Sequence, residues 1–166
     1  MNLVKEINEK KNLFLKKENI TSLIIIILFF LLDRYSKIEI INNLNNSTFF
    51  INSFINFDLI WNTGVGFGLL SFSSSLMYNA MSVIIGLVIL ILTYILFTSE
   101  KLDKIIISVI VGGALGNFYD RLTYNAVPDF IDLHYGNFHW FTFNVADIFI
   151  TLGILTFLLK EFLIKK

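Results

Sequence analysis

The chain has 166 residues, of which 55% are hydrophobic and only 16% charged, and its mean hydropathy is +0.72. That composition excludes an ordinary soluble domain and places the chain in the membrane class, as one domain spanning residues 1–166. The formal net charge is zero and there is no cysteine, so disulfides and thiolate catalysis are excluded. No basic surface with interleaved aromatics is present, and no nucleic-acid partner is expected.

The zero net charge hides an uneven distribution. Apart from Lys37, the lysines fall in three places: before the first apolar run (Lys5, Lys10, Lys11, Lys16, Lys17), in the middle (Lys101, Lys104) and at the end (Lys160, Lys165, Lys166). Residues 42–62 and 123–143 contain neither Lys nor Arg. Basic residues mark cytoplasmic loops, so both termini and the middle loop are expected inside and the two lysine-free connections outside.

In chain order, residues 1–19 read as a cytoplasmic tail, with a surface-lying amphipathic helix as the alternative. The apolar run from Ile20 continues to about Ile41; no small-residue cleavage site follows it, so it reads as an uncleaved first span. Asp33 and Lys37 lie four apart near its outer end and share a helical face, which lets them pair. The external segment 42–75 begins with residues whose apolar side chains recur at a period of two from Ile51 to Trp61, the pattern of one or two half-buried strands. It continues into NTGVGFG, where Gly64, Gly66 and Gly68 permit tight turns.

Second and third spans are expected at about 76–97 and 105–122. The third carries Gly112, Gly113 and Gly116, a small face on which another helix can pack closely, and this face leads to Asn117 and Asp120. A second external connection, 123–143, holds Pro128, Asp129 and Asp132, and a fourth span runs over about 144–164. The fold class is therefore an all-α membrane protein with four transmembrane helices and a small extracytoplasmic β element.

This topology gathers Asp33, Asp120, Asp129 and Asp147 at the outer ends of the spans. An Asp or Arg at membrane depth costs roughly 2.5 to 3.5 kcal/mol on insertion scales, which makes each one a functional candidate. Two carboxylates held close share a proton and can activate water while protonating an oxyanion or leaving group. Plainer explanations remain open on spacing alone. Asn144 and Asp147 fit a helix cap, Asp120 and Arg121 fit a charge pair at a helix end, and Asp129 and Asp132 fit a solvated loop. His134 and His139 are five apart and match neither helical ligand spacing nor a HExxH site; no metal and no cofactor are expected. Trp61 and Trp140 fit an interfacial aromatic belt. A proton-coupled transporter would also use buried acids, but it needs polar groups at mid-membrane, and the second span has none between Leu87 and Leu92.

Four blocks occur in order: DRYSK at 33–37, NTGVGFG at 62–68, GGALGNFYDR at 112–121, and VPDF at 127–130 followed by FNVAD at 143–147. Together they resemble the lipoprotein signal peptidase (signal peptidase II) family of intramembrane aspartic peptidases. The resemblance implies that Asp129 and Asp147 form a catalytic dyad, that Asn62, Gly64, Asn117, Arg121 and Asn144 orient it and bind substrate, and that Asp33, Lys37 and Asp120 support the site. It also implies cleavage of diacylglyceryl-prolipoprotein before the lipidated cysteine, at the outer side of the bacterial cytoplasmic membrane among membrane lipids, without metal, and inhibition by globomycin. Segment 48–68 is expected to close over the peptide. Against the usual family pattern, Gly66 stands where Ala is common, Pro128 precedes the first dyad residue and Ile148 replaces a frequent Ser.

Overall fold

A computed structural model describes residues 16–44, 48–65, 70–71 and 75–164. Most of the expected tail, and Gly66 and Gly68 of the glycine-rich block, lie outside the described residues. Four helices dominate: α1 (Lys17–Asn43), α2 (Ser75–Thr98), α3 (Lys101–Tyr124) and α4 (Val145–Ile164). Their positions match the four apolar runs of the sequence; the first three are extended by one to four residues at each end, and the fourth coincides with its expected span to within one residue. Among the described residues, Leu76–Thr98 and Lys101–Tyr124 are long and apolar enough to cross a membrane by length and composition. The helices α1 and α4 carry the ionisable side chains Asp33, Arg34, Lys37 and Glu39, and Asp147, Lys160 and Glu161.

Between α1 and α2 lie β1 (Phe49–Asn52), β2 (Ile55–Asn62), β3 (Gly64–Val65) and β4 (Leu70–Ser71); between α3 and α4 lie β5 (Val127–Tyr135) and β6 (Phe138–Phe143). An antiparallel sheet in the order β1-β2-β5-β6 therefore covers the end of the bundle where α1 and α3 finish and α4 begins. The short strands β3 and β4 pair separately. The connection 123–143, expected as a loop, is thus a hairpin whose first strand is almost wholly buried from Val127 to Phe130. Its sequence hides this, because β5 packs on the helices along one stretch and so shows a continuous apolar run around Asp129 instead of an alternation. Nor does β2 alternate in burial as its sequence suggests; most of its residues are half-buried on both faces.

Two backbone positions make this possible. Asn125 adopts the left-handed conformation (φ 54°) just after α3, which ends the helix and turns the chain into β5. Gly136 (φ 60°) is the first residue of the two-residue turn between β5 and β6, where a positive φ suits glycine.

At the centre, α3 packs against all three other helices. Its glycines set the distances. A Cβ on Gly112 would lie 2.9 Å from the Ile26 carbonyl oxygen of α1, one on Gly113 2.8 Å from the Ala146 carbonyl oxygen of α4, and one on Gly116 2.2 Å from Asp33 Oδ2. The small face of α3 thus receives α1 on one side and α4 on the other, as its sequence predicts. Against α2 the packing is aliphatic, through Ile89, Leu96, Ile107 and Val111. Outward, the bundle presents Leu23, Ile24, Ile27 and Leu31 of α1, Leu87, Leu90 and Ile91 of α2, and Leu155, Leu158 and Leu159 of α4. Apolar surface outside and charge inside is the arrangement expected of a bundle solvated by lipid.

Asp33 cannot yield to a methyl group at position 116, because its two oxygens are fixed by Lys37 and by the Ala146 amide. Gly116→Ala is therefore expected to destabilise the bundle by about 1–3 kcal/mol, read as a lowered thermal midpoint of the purified protein in detergent micelles.

Candidate active site

The buried charges begin with Lys37, whose ammonium has no solvent exposure. It donates to Asp33 Oδ2 (2.9 Å) one turn back on α1, and to Asn117 Oδ1 (2.7 Å) and Asp120 Oδ2 (2.7 Å) on α3. All three ammonium protons are thereby used, which is what an ammonium needs to remain charged away from water. Asp120 takes a second cation, Arg34, whose guanidinium also lies 4.9 Å from the Tyr119 ring centroid. Asp120 therefore pairs with Lys37 and Arg34, not with its sequence neighbour Arg121 as a helix-end charge pair would require. The other oxygen of Asp33 accepts from the Ala146 N–H (3.0 Å), satisfying one of the free amides at the start of α4.

That helix start carries a reciprocal cap. Asn144 Oδ1 accepts from the Asp147 N–H (3.1 Å), and Asp147 Oδ2 accepts from the Asn144 N–H (3.1 Å). The capping expected from spacing is real, and it does not exhaust either residue. Asp147 Oδ1 accepts from Asn117 Nδ2 (2.8 Å), and Asn144 Nδ2 donates to Asp129 Oδ1 (2.5 Å). Asn144 thus bonds one carboxylate through its side-chain amide and the other through its backbone.

Asp129 is placed by the sheet. Pairing of Ile60 with Asp129 and of Asn62 with Val127 lets Asn62 Nδ2 reach Asp129 Oδ2 (2.8 Å). Asn62 Oδ1 in turn accepts from the Gly64 N–H (2.8 Å), while Arg121 spans from the Asn117 carbonyl (3.1 Å) to the Gly64 carbonyl (3.2 Å). One connected set of bonds therefore runs Lys37, Asn117, Asp147, Asn144, Asp129, Asn62, Gly64, Arg121. Asp129 and Asp132 are both buried, which removes the solvated-loop explanation.

Asp129 is pushed up to about 6 from the usual carboxylate value of 3.8, first by burial and then by the negative charge of Asp147; the amides of Asn62 and Asn144 act in the opposite direction. Asp147 is only partly covered, and a pocket of about 250 Å³ opens beside it, lined by Phe141, Phe143, Ile148, Thr151 and Leu152. An apolar chain can therefore lie against one member of the carboxylate pair. A second cavity of about 270 Å³, around Lys17, Lys101 and Lys104 at the opposite end of the bundle, contains neither carboxylate.

The structure brings together every residue that the sequence singled out here: Asp33, Lys37, Asn62, Gly64, Asn117, Asp120, Arg121, Asp129, Asn144 and Asp147 all belong to the two linked networks. Sequence reasoning missed Arg34, although its place beside Asp33 inside an apolar run was the available signal. It also missed the Asp33 bond to Ala146, which no spacing could reveal.

Two carboxylates joined through Asn144 thus lie beneath a small sheet, at the end of a helical bundle whose outer surface is apolar. Residues 25–163 match the sequence model of the family described as Signal peptidase (SPase) II. The chain is 45% identical over 143 residues to a lipoprotein signal peptidase of Pelagibacter ubique (strain HTCC1062), covering 84% of this chain and 86% of that one. It is 38% identical over 148 residues to a lipoprotein signal peptidase of Anaplasma marginale (strain Florida), covering 87% and 86%. A solved bacterial membrane enzyme superposes with a TM-score of 0.68 at 30% identity, over 88% of this chain and 92% of the other. The chain belongs to the signal peptidase II family.

Lys37→Met would leave Asp33 and Asp120 buried without their shared cation, with an expected loss of about 3–5 kcal/mol. Adding Asp33→Asn to that variant is expected to restore part of it. Chemical unfolding in mixed micelles, followed for both variants, checks this.

Proposed function

We propose that the protein is an aspartic endopeptidase of the cytoplasmic membrane that removes signal peptides from diacylglyceryl-modified prolipoproteins, cutting just before the lipidated cysteine. The observation that carries this reading is the link between Asp129 and Asp147 through Asn144, with the charge of one raising the proton affinity of the other. Charge balance supports a single shared proton. The linked groups comprise three cations (Arg34, Lys37, Arg121) and four carboxyls (Asp33, Asp120, Asp129, Asp147), so the buried set is neutral when the pair holds one proton.

In the proposed reaction the ionised carboxylate of the pair takes a proton from water as the oxygen attacks the scissile carbonyl carbon. The protonated carboxyl donates its proton to the carbonyl oxygen, giving a neutral tetrahedral diol. Collapse breaks the C–N bond: the diol returns a proton to the pair, the departing amine receives one, and the pair ends as it began. Asn62, Asn117 and Asn144 hold the carboxylates in register, and Arg121 fixes the Gly64 carbonyl so that the Asn62 to Gly64 backbone can receive the substrate chain. Asp33, Lys37 and Asp120 hold the three helices on which these groups stand.

All four helices are proposed to span the bilayer, with both termini cytoplasmic and the sheet outside, as the lysine distribution suggests. The acyl chains of the substrate would then lie along the apolar pocket beside Asp147. Of the segment expected to cover the peptide, 66–68 lie outside the described residues; the strand β2 is proposed to adjust over the bound peptide, and because it is paired with the strand that carries Asp129, peptide binding and dyad position are coupled. The same site would take globomycin in competition with substrate.

Asp129→Asn and Asp147→Asn preserve side-chain shape but cannot exchange a proton in this way. Each is expected to lower turnover of a diacylglyceryl-prolipoprotein in detergent to background, with substrate affinity within severalfold of the parent protein. Turnover at the parent rate by either variant would exclude the mechanism.

A further inference from the structure

The chain contains only two histidines, and the β5–β6 hairpin brings them face to face. His134 and His139 are cross-strand partners, with rings stacked at a centroid distance of 5.4 Å. Asp132 lies two residues before His134 on β5, with a register irregularity between Leu133 and His134. Both imidazoles aim Nδ1 at one carboxylate oxygen, Asp132 Oδ2: His139 from 2.8 Å and His134 from 3.5 Å. The shorter contact is a hydrogen bond, and the longer leaves His134 Nδ1 without a hydrogen-bond partner among the described residues, although the residue is only 6% exposed.

We infer that Asp132, His134 and His139 form a site for a single borderline divalent transition ion of the Zn²⁺ kind, separate from the carboxylate pair. One ligand atom from each of the three lies within 4.8 Å of the others. A tetrahedral ion with bonds of about 2.0–2.1 Å holds its donors about 3.3 Å apart, and the observed 2.8 and 3.5 Å fall on either side of that separation. Two imidazoles and one carboxylate are a donor set that such ions accept, leaving a fourth position for water. A cation here would bond His134 Nδ1, which has no hydrogen-bond partner among the described residues and only the long 3.5 Å contact to Asp132. Asp132 and His134 are buried and preset by the strand, whereas His139 is mostly exposed and offers an entry path. The spacing of five that excludes a helical site is the spacing that a two-residue hairpin turn folds into opposition. A bound ion would tie β6 to β5 three residues beyond Asp129, stiffening the strand that carries it.

The test is Zn²⁺ binding to the full chain in detergent, without an affinity tag, after chelator treatment. Equilibrium dialysis is expected to give one ion per chain at micromolar affinity, and thermal stability should rise with added Zn²⁺. His139→Ala, at an exposed position that leaves folding intact, and Asp132→Asn should each weaken binding by more than the roughly 10-fold that loss of an outer-shell partner costs. Absence of stoichiometric binding, or equal affinity in His139→Ala, would overturn the inference. Because binding is read without substrate, the outcome is independent of whether the carboxylate pair cleaves prolipoproteins.

Discussion

Away from water and surrounded by three acceptors, the Lys37 ammonium joins α1 to α3, and through Asp33 it reaches the Ala146 amide in the first turn of α4. Removing an ammonium and two carboxylates from solvent costs several kcal/mol per ion before any attraction is counted. The helices offset this only where every donor and acceptor is matched, which restricts α1, α3 and α4 to one relative placement. The glycines of α3 serve the same constraint. At Gly116 any side chain would occupy the volume of Asp33 Oδ2, so close backbone approach and charge pairing are satisfied together.

From that fixed corner the placement of the two linked carboxylates follows by short steps. Asn117 spends its oxygen on Lys37 and its amide on Asp147. Asn144 caps α4 and reaches the sheet, where the register of β2 with β5 has already placed Asn62 against Asp129. Asparagine suits these junctions because one side chain offers both an acceptor and two donors and adds no charge. A helix start supplies Asp147 and a strand supplies Asp129, so the pair depends on how sheet and bundle dock. The cluster of Ile40, Leu44 and Phe130, with Phe57, Leu59 and Val145 around it, provides that docking.

Much of this was legible in the sequence, for identifiable reasons. Long apolar runs gave the helices, the spacing of four gave the Asp33–Lys37 pair, and Gly112, Gly113 and Gly116 gave the close-packed face. The four motif blocks contain the candidate residues that the structure then gathers into two networks. What stayed hidden depended on strand pairing. Buried on one stretch and half-buried elsewhere, β5 lacks the alternation that would mark a strand, so 123–143 read as a loop. Once that hairpin is missed, His134 and His139 are merely five apart and Asp132 has no partner. Arg34 was overlooked for a related reason: its partner Asp120 is 86 positions away, and Arg121 beside Asp120 offered a nearer but incorrect explanation.

The central claim is that Asp129 and Asp147 act as one electrostatic unit. The most direct measurement is a pH titration of the Asp129 carboxyl carbon by NMR in the parent protein and in Asp147→Asn. Folding raises this group, so its proton stabilises the native state fully below about pH 4, and that contribution is lost as pH rises through about 6. The account predicts a midpoint near 6 in the parent protein and a clear downward move when the Asp147 charge is removed. An Asp129 midpoint at the ordinary carboxylate value, or one that Asp147→Asn leaves unchanged, would contradict it.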